Sequence, residues 1–286
     1  LCFSCLLTVV IYYVARKYMR SALAILVCAC VAFNPWFVAQ SIRGLRYELF
    51  TIIVLLVSDK LIAGKPIKGF GNMLSAGILV ALLPVLRMYT IFQIPLILGW
   101  ALLKKNISFR FVLYVLVAGV VVLSPYLIYC SSYHQDPIYA MTNHSTYLRN
   151  YEQEGNLLAN SWDELKLGSD AYKGERENPV SYILGKHTMY NVLRYVLDGM
   201  ASIFCGTTSK NSYFGQSYIF CYLSIFGLLI SALFRRFEMI LLILIWSGPI
   251  AFLITASPFV FDGRMVAHIA PYIFMVSFSW VDQILE

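Results

Sequence analysis

The chain has 286 residues, 59% of them hydrophobic and only 13% charged, with a mean hydropathy of +0.70. A soluble domain carries roughly 25% charged residues, so the composition excludes a soluble enzyme, a disordered tail and a secreted disulfide scaffold, and points to a polytopic membrane protein. The net charge of +7 does not read as a nucleic-acid surface: residues 134–215 hold seven Lys/Arg against nine Asp/Glu, and the basic surplus lies among the apolar segments.

The first residue is Leu, and an apolar run opens at once with no basic n-region or cleavage site before it. The reading is that the sequence starts inside a longer protein. A spanning helix needs about 20 apolar residues, and nine candidates follow in order, roughly 1–15, 21–40, 47–64, 72–88, 89–103, 109–131, 215–234, 237–256 and 264–283. The expected fold is therefore all-α, a polytopic membrane protein of about nine transmembrane helices plus one extracytoplasmic segment. Residues 1–131 form the N-terminal transmembrane part, 132–214 the outer loop, and 215–286 the C-terminal transmembrane part. Within the loop, 190–205 (YNVLRYVLDGMASIFC) is amphipathic and suits a helix lying in the membrane interface.

The basic residues sort by connection. Arg16, Lys17 and Arg20 fall in one; Lys60, Lys65 and Lys68 in the next; then Lys104, Lys105 and Arg110; then Arg235 and Arg236. These alternate with nine spans, and the positive-inside rule puts them in the cytoplasm. Four arginines break the rule. Arg43, Arg46, Arg87 and Arg264 sit in short outer turns against predicted helix ends, where topology gains nothing from them. An ionisable residue at membrane level is costly and is a functional-site hypothesis by default. The planar donor fork of Arg suits phosphate oxygens, so these four are the candidate phosphate-binding residues. The alternative is that each merely snorkels to lipid phosphate. Glu48, two residues beyond Arg46, and Asp262 and His268, flanking Arg264, are the supporting candidates; Arg264 and His268 are four apart and would share a helix face.

Other chemistry is weaker. Cys2 and Cys5 form a C-x-x-C, but no second pair or His follows at zinc spacing. His134, Asp136 and His144 are close in sequence without matching a metal motif, and surface polarity is the favoured reading, so no metal ligand is assigned. Asn143-His144-Ser145 fits the glycosylation acceptor pattern, and no P-loop, G-x-G-x-x-G, G-x-S-x-G or H-E-x-x-H occurs.

The stretches NPWFVAQSIRGLRYELFTIIVLL (34–56), SAGILVALLPVLRMYTIFQIPLIL (75–98) and DGRMVAHIAPYIF (262–274) together resemble the GT-C superfamily of integral-membrane glycosyltransferases, such as protein O-mannosyltransferases and aminoarabinose transferases. Arg46 with Glu48, Arg87 with Pro95, and Arg264 with Pro271 match the family's pattern. The resemblance covers roughly 1–130 and 215–283, and the family's acidic first outer loop would lie before residue 1. It implies a hexosyltransferase-type enzyme with a polyprenyl-phosphate-linked sugar donor, an extracytoplasmic acceptor of unknown identity and membrane lipid as partner. It implies a multi-pass protein of the cell envelope, in the plasma (inner) membrane of a prokaryote or, alternatively, the endoplasmic reticulum. It also allows a divalent cation held mainly by the missing loop; the cofactor is otherwise unknown and the catalytic acid is expected to be absent. An O-antigen polymerase or ligase, with outer arginines and lipid-diphosphate donors, is the alternative. A lipid or solute transporter ranks last, because neither mid-span ionisable residues nor two similar halves are evident.

Overall fold

The computed structural model describes residues 2–43, 47–62, 66–139, 184–185, 187–205, 218–254 and 267–285. Every regular element among the described residues is helical. In chain order they are α1 (Cys2–Ala15), α2 (Ser21–Ala32), α3 (Pro35–Arg43), α4 (Tyr47–Leu61), α5 (Phe70–Leu86), a 3-10 turn (Met88–Phe92), α6 (Gln93–Leu103) and α7 (Phe109–His134). Then come α8 (Met189–Cys205), α9 (Tyr218–Leu233), α10 (Phe237–Ile254), a 3-10 turn (Ala267–Ile269) and α11 (Ala270–Leu285).

Two helices form the centre. In α4 the residues from Tyr47 to Asp59 are buried almost without interruption, and in α11 the run Ala270–Ser277 is buried throughout. A helix apolar on all sides can only be a core helix or a lipid-facing one. The Thr51-Ile52-Ile53-Val54 run in α4 is a poor intrinsic helix former, so packing on every face carries its helicity. Helix α4 packs against α1, α5, α6 and the second 3-10 turn, while α11 packs against α2 and, most extensively, α9. The α9–α11 approach depends on Gly227, where a Cβ would run into the Val276 carbonyl. Gly227→Ala is therefore expected to destabilise the fold by about 1–3 kcal/mol; thermal unfolding of the detergent-solubilised protein checks this, and an unchanged Tm would contradict the close approach.

Nine transmembrane helices are not what the structure contains. Among the described residues one helix, α7 with 26 residues, is long and apolar enough to cross a membrane; the other apolar helices run to 18 residues at most. At 1.5 Å per residue, 18 residues span about 27 Å, short of a hydrocarbon core of about 30 Å. The reason lies in the backbone. The predicted segment 21–40 breaks at Phe33-Asn34, with Pro35 opening α3, the first-turn position where its missing N–H is harmless. The predicted segments 72–88 and 89–103 meet at Arg87, where the sequence reading divides them; the backbone there is extended (φ −149°, ψ 100°) and leads into the 3-10 turn, and each of the two is too short to cross alone. The last segment opens with three 3-10 residues before α11 begins. Apolar composition continues across these points but the helix does not.

Helix α7 differs from the rest. Only 11% of its most apolar stretch is buried, and among the described residues its one extensive contact is with α5; Phe111 and Val115 are buried. Leu116, Val117, Val120, Val121 and Ile128 are all exposed. Large exposed apolar side chains also occur on α1 (Phe3, Val9), α5 (Phe70, Ile78) and α9 (Tyr222, Leu229). Helix α8 occupies the predicted amphipathic stretch and packs against α10 and α9.

Ion pairs and polar contacts gather at the two ends of the bundle. At one end Ser4, near the start of α1, meets Glu48 in the first turn of α4. At the other, Lys17 just past α1 pairs with Asp59 near the end of α4 at 2.5 Å. Arg20, ahead of α2, places Nε 3.1 Å from Asp282 in the last turn of α11 and donates its backbone N–H to the same carboxylate. Lys104, after α6, lies 4.0 Å from Glu238 at the start of α10. Lys17, Arg20 and Lys104, assigned by sequence to orientation, thus share one end of the fold.

Candidate functional site

Arg87 is fixed by the local backbone. Pro84 sits near the end of α5, and the Arg87 N–H closes the helix on the Leu83 carbonyl at 2.8 Å. The Arg87 carbonyl then accepts two hydrogen bonds from Thr90, from its N–H at 3.0 Å and its Oγ1 at 2.8 Å. Three hydrogen bonds at one residue set the direction in which the side chain leaves. The guanidinium lies over the ring of Tyr47, 4.6 Å from its centroid, within the range of cation–π attraction.

Tyr47 is the first residue of α4, and Glu48 follows it. The Glu48 residue is 5% exposed, and Oε1 accepts the Ser4 hydroxyl at 2.8 Å. A buried carboxylate needs such a donor. Position in the first turn of α4 adds the favourable field of the helix N-terminus.

His268 lies beneath this layer in an aromatic cage. Its ring is 4.9 Å from Phe50, 5.8 Å from Trp246 and 6.5 Å from Tyr89, centroid to centroid. The Phe50 and Trp246 contacts are edge-to-face, the arrangement that aromatic quadrupoles favour. Complete burial first, and the charge of Arg87 second, push the imidazole pKa down to about 3, with the Trp246 backbone opposing. His268 lies outside α7, and it is neutral at physiological pH. It adds no second positive charge beside Arg87, and its protonation would be opposed by that arginine. Trp246 in turn is anchored on two sides: its Nε1–H donates to Ser58 Oγ at 2.8 Å, and its carbonyl accepts from Gln93 Nε2 at 2.9 Å.

Three predicted site residues therefore meet around the first turn of α4: Arg87 through Tyr47, Glu48 beside it, and His268 through Phe50. His268 belongs to a 3-10 turn and not to an α-helix running from 264. Arg43 closes α3, and only its backbone is described. Arg46, Asp262 and Arg264 lie outside the described residues. Sequence reasoning missed Tyr47 and Ser4. Tyr47 stood in plain view between two charged candidates, and an aromatic residue at a helix start facing an arginine was the available signal. Ser4 is 44 residues from Glu48, and nothing in the spacing connects them.

The remaining candidates have ordinary roles. His134 stacks on Tyr139 at 3.6 Å, and Asp136 Oδ1 accepts the Ile138 N–H at 3.0 Å in a local turn. His144 and Asn143 lie outside the described residues. Cys2, Cys5, Cys28, Cys30 and Cys130 are free thiols. Among the described residues no three His, Cys, Asp or Glu converge on one point, and Glu48 faces a hydroxyl donor. No family model, curated protein or solved structure matches the chain.

Proposed function

We propose that the chain is part of a membrane glycosyltransferase that draws a sugar from a polyprenyl-phosphate-linked donor, with Arg87 receiving the phosphate. The observation that carries this reading is Arg87 itself. A permanently charged group is held at the edge of an apolar bundle by three backbone hydrogen bonds and an aromatic ring. The Tyr47 ring face is one of its contacts there. Phosphate oxygens suit the guanidinium fork, and the apolar exterior next to α5 and α7 suits a polyprenyl chain.

In the proposed reaction an acceptor hydroxyl or amine attacks the anomeric carbon. The new bond forms as the bond from that carbon to the phosphate oxygen breaks, and the electron pair leaves with the polyprenyl phosphate. Arg87 stabilises the charge that develops on that leaving group. Neutral His268 supports the Arg87 layer through Phe50 and Tyr89 and takes no proton. The acceptor proton goes to a base outside the described residues. The proposed location is the plasma membrane of a prokaryote, or the endoplasmic reticulum membrane, with α7 embedded.

The test uses the full-length protein in lipid nanodiscs with a radiolabelled polyprenyl-phosphate sugar and a cell-envelope extract as acceptor. Release of polyprenyl phosphate together with labelled acceptor is the expected result. If the donor stays intact while the reconstituted protein is folded and a donor-hydrolysing control enzyme cleaves it, the glycosyltransferase reading falls.

A further inference from the structure

Two side chains beneath the Arg87 layer are wholly buried yet carry polar atoms that make no hydrogen bond. Gln93, the first residue of α6, donates Nε2–H to the Trp246 carbonyl at 2.9 Å, but its Oε1 has no partner among the described residues. His268 has no hydrogen bond at either ring nitrogen. Both residues are 0% exposed, so bulk solvent does not reach these atoms. A buried polar atom left unmade is costly. Native cores meet that cost with an ordered water where several such atoms converge.

Gln93 and His268 converge on Trp246. The Trp246 carbonyl is the acceptor of the Gln93 amide. Besides its burial, His268 feels the Trp246 backbone and the charge of Arg87, and its ring is 5.8 Å from the Trp246 ring. The meeting point lies where α6, α10 and the 3-10 turn Ala267–Ile269 pack together. The chemistry of the set narrows the occupant. Gln93 Oε1 only accepts, and a neutral imidazole offers one donor and one acceptor, so the ligand must donate. The charge of Arg87 disfavours a metal cation there as it disfavours a proton on His268. An anion would face the Gln93 oxygen and the Trp246 carbonyl. A neutral donor-and-acceptor is left, and its walls are closed to solvent.

We propose that one ordered water molecule is bound between Gln93 Oε1 and the His268 imidazole, beside the Trp246 carbonyl. It donates one hydrogen bond to the amide oxygen and makes a second with the imidazole. The position gives the water a mechanical role. Gln93 follows directly on the 3-10 turn Met88–Phe92, in which Thr90 bonds back to the Arg87 carbonyl. The turn that presents Arg87 is thus fastened at its far end to α10 by the Gln93 amide, and to the Ala267–Ile269 turn through the water. The water site stands whether or not sugar transfer is found.

The test is X-ray radiolytic labelling of the full-length protein in lipid nanodiscs, read residue by residue by tandem mass spectrometry. Radiolysis splits water where it stands, so a bound water releases hydroxyl radical onto the side chains around it. Trp246 and His268 should take up oxygen, while Phe111 and Phe274, buried to 1% and 2%, stay unlabelled. A radical scavenger in the buffer should suppress labelling of the exposed Tyr133 and leave that of Trp246 unchanged. Gln93→Leu removes the amide oxygen and should bring Trp246 and His268 down to the level of Phe111. Wild-type Trp246 and His268 as unlabelled as Phe274 would overturn the site. So would equal suppression of Trp246 and Tyr133 by the scavenger, or full labelling in a Gln93→Leu variant of wild-type Tm. If Gln93→Leu fails to fold, the wild-type and scavenger comparisons decide alone.

Discussion

On the proposed function, Arg87→Ala in the full-length protein is expected to lower sugar transfer by about a hundred- to a thousandfold, the range seen when one donor to a developing oxyanion is removed. Its level in the membrane stays that of the wild type. The second half follows from where the side chain sits: the three hydrogen bonds at this position use the backbone and Thr90, so alanine keeps them. What is lost is the charge above the Tyr47 ring. Arg87→Lys keeps a charge but not the planar fork and falls between the two. Tyr47→Leu leaves the guanidinium present without this ring contact, and is expected to cost about fivefold, in line with a cation–π contact worth roughly 1 kcal/mol. The measurement is initial transfer rate at saturating acceptor, normalised to membrane protein. Near-wild-type transfer by Arg87→Ala would remove the phosphate role.

Trp246→Ala has the largest expected effect on stability. The side chain is wholly buried and its N–H is bonded to Ser58. Truncating a buried Trp costs about 3–5 kcal/mol, a large fraction of a total that is typically about 5–15 kcal/mol. The cavity would open beside His268, whose ring meets Trp246 edge-to-face, so the cage around His268 loosens as well. Trp246→Phe keeps much of the volume and loses the donor, while Ser58→Ala keeps the ring and strands its N–H; each is expected to cost about 1–3 kcal/mol. Thermal unfolding in detergent distinguishes the three. A Trp246→Ala variant within about 1 kcal/mol of the wild type would mean that this crossing of α4, α10 and the second 3-10 turn does not hold the core.

The helical content was legible in the apolar runs, and so was the gathering of Lys17, Arg20 and Lys104 at one end. The number of membrane-crossing helices was not. Hydropathy counts side chains, whereas crossing needs an unbroken ladder of backbone hydrogen bonds. At Asn34-Pro35 and at Arg87 the ladder stops while the apolar composition runs on. Both places carried a visible signal, a proline in one and an arginine in the other; Arg87 was read as a boundary between two short segments, whereas Asn34-Pro35 was left inside the predicted span 21–40. Partners distant in sequence were illegible for a different reason. Ser58 meets Trp246 across 188 residues and Gln93 meets it across 153. Spacing encodes which face a residue takes on its own helix, but not which helix that face will meet.

The joint between α7 and α5 has a mechanical meaning. A 26-residue helix is about 39 Å long, while the hydrocarbon layer is about 30 Å thick, and such a mismatch is relieved by tilting or by local thickening of the lipid. Because α7 meets the bundle mainly along α5, the two helices lean together, and α5 ends at Arg87. Were α7 to cross a bilayer, the thickness of the surrounding lipid would act as a lever arm on the position of that arginine, with α7 as the handle and α5 as the shaft.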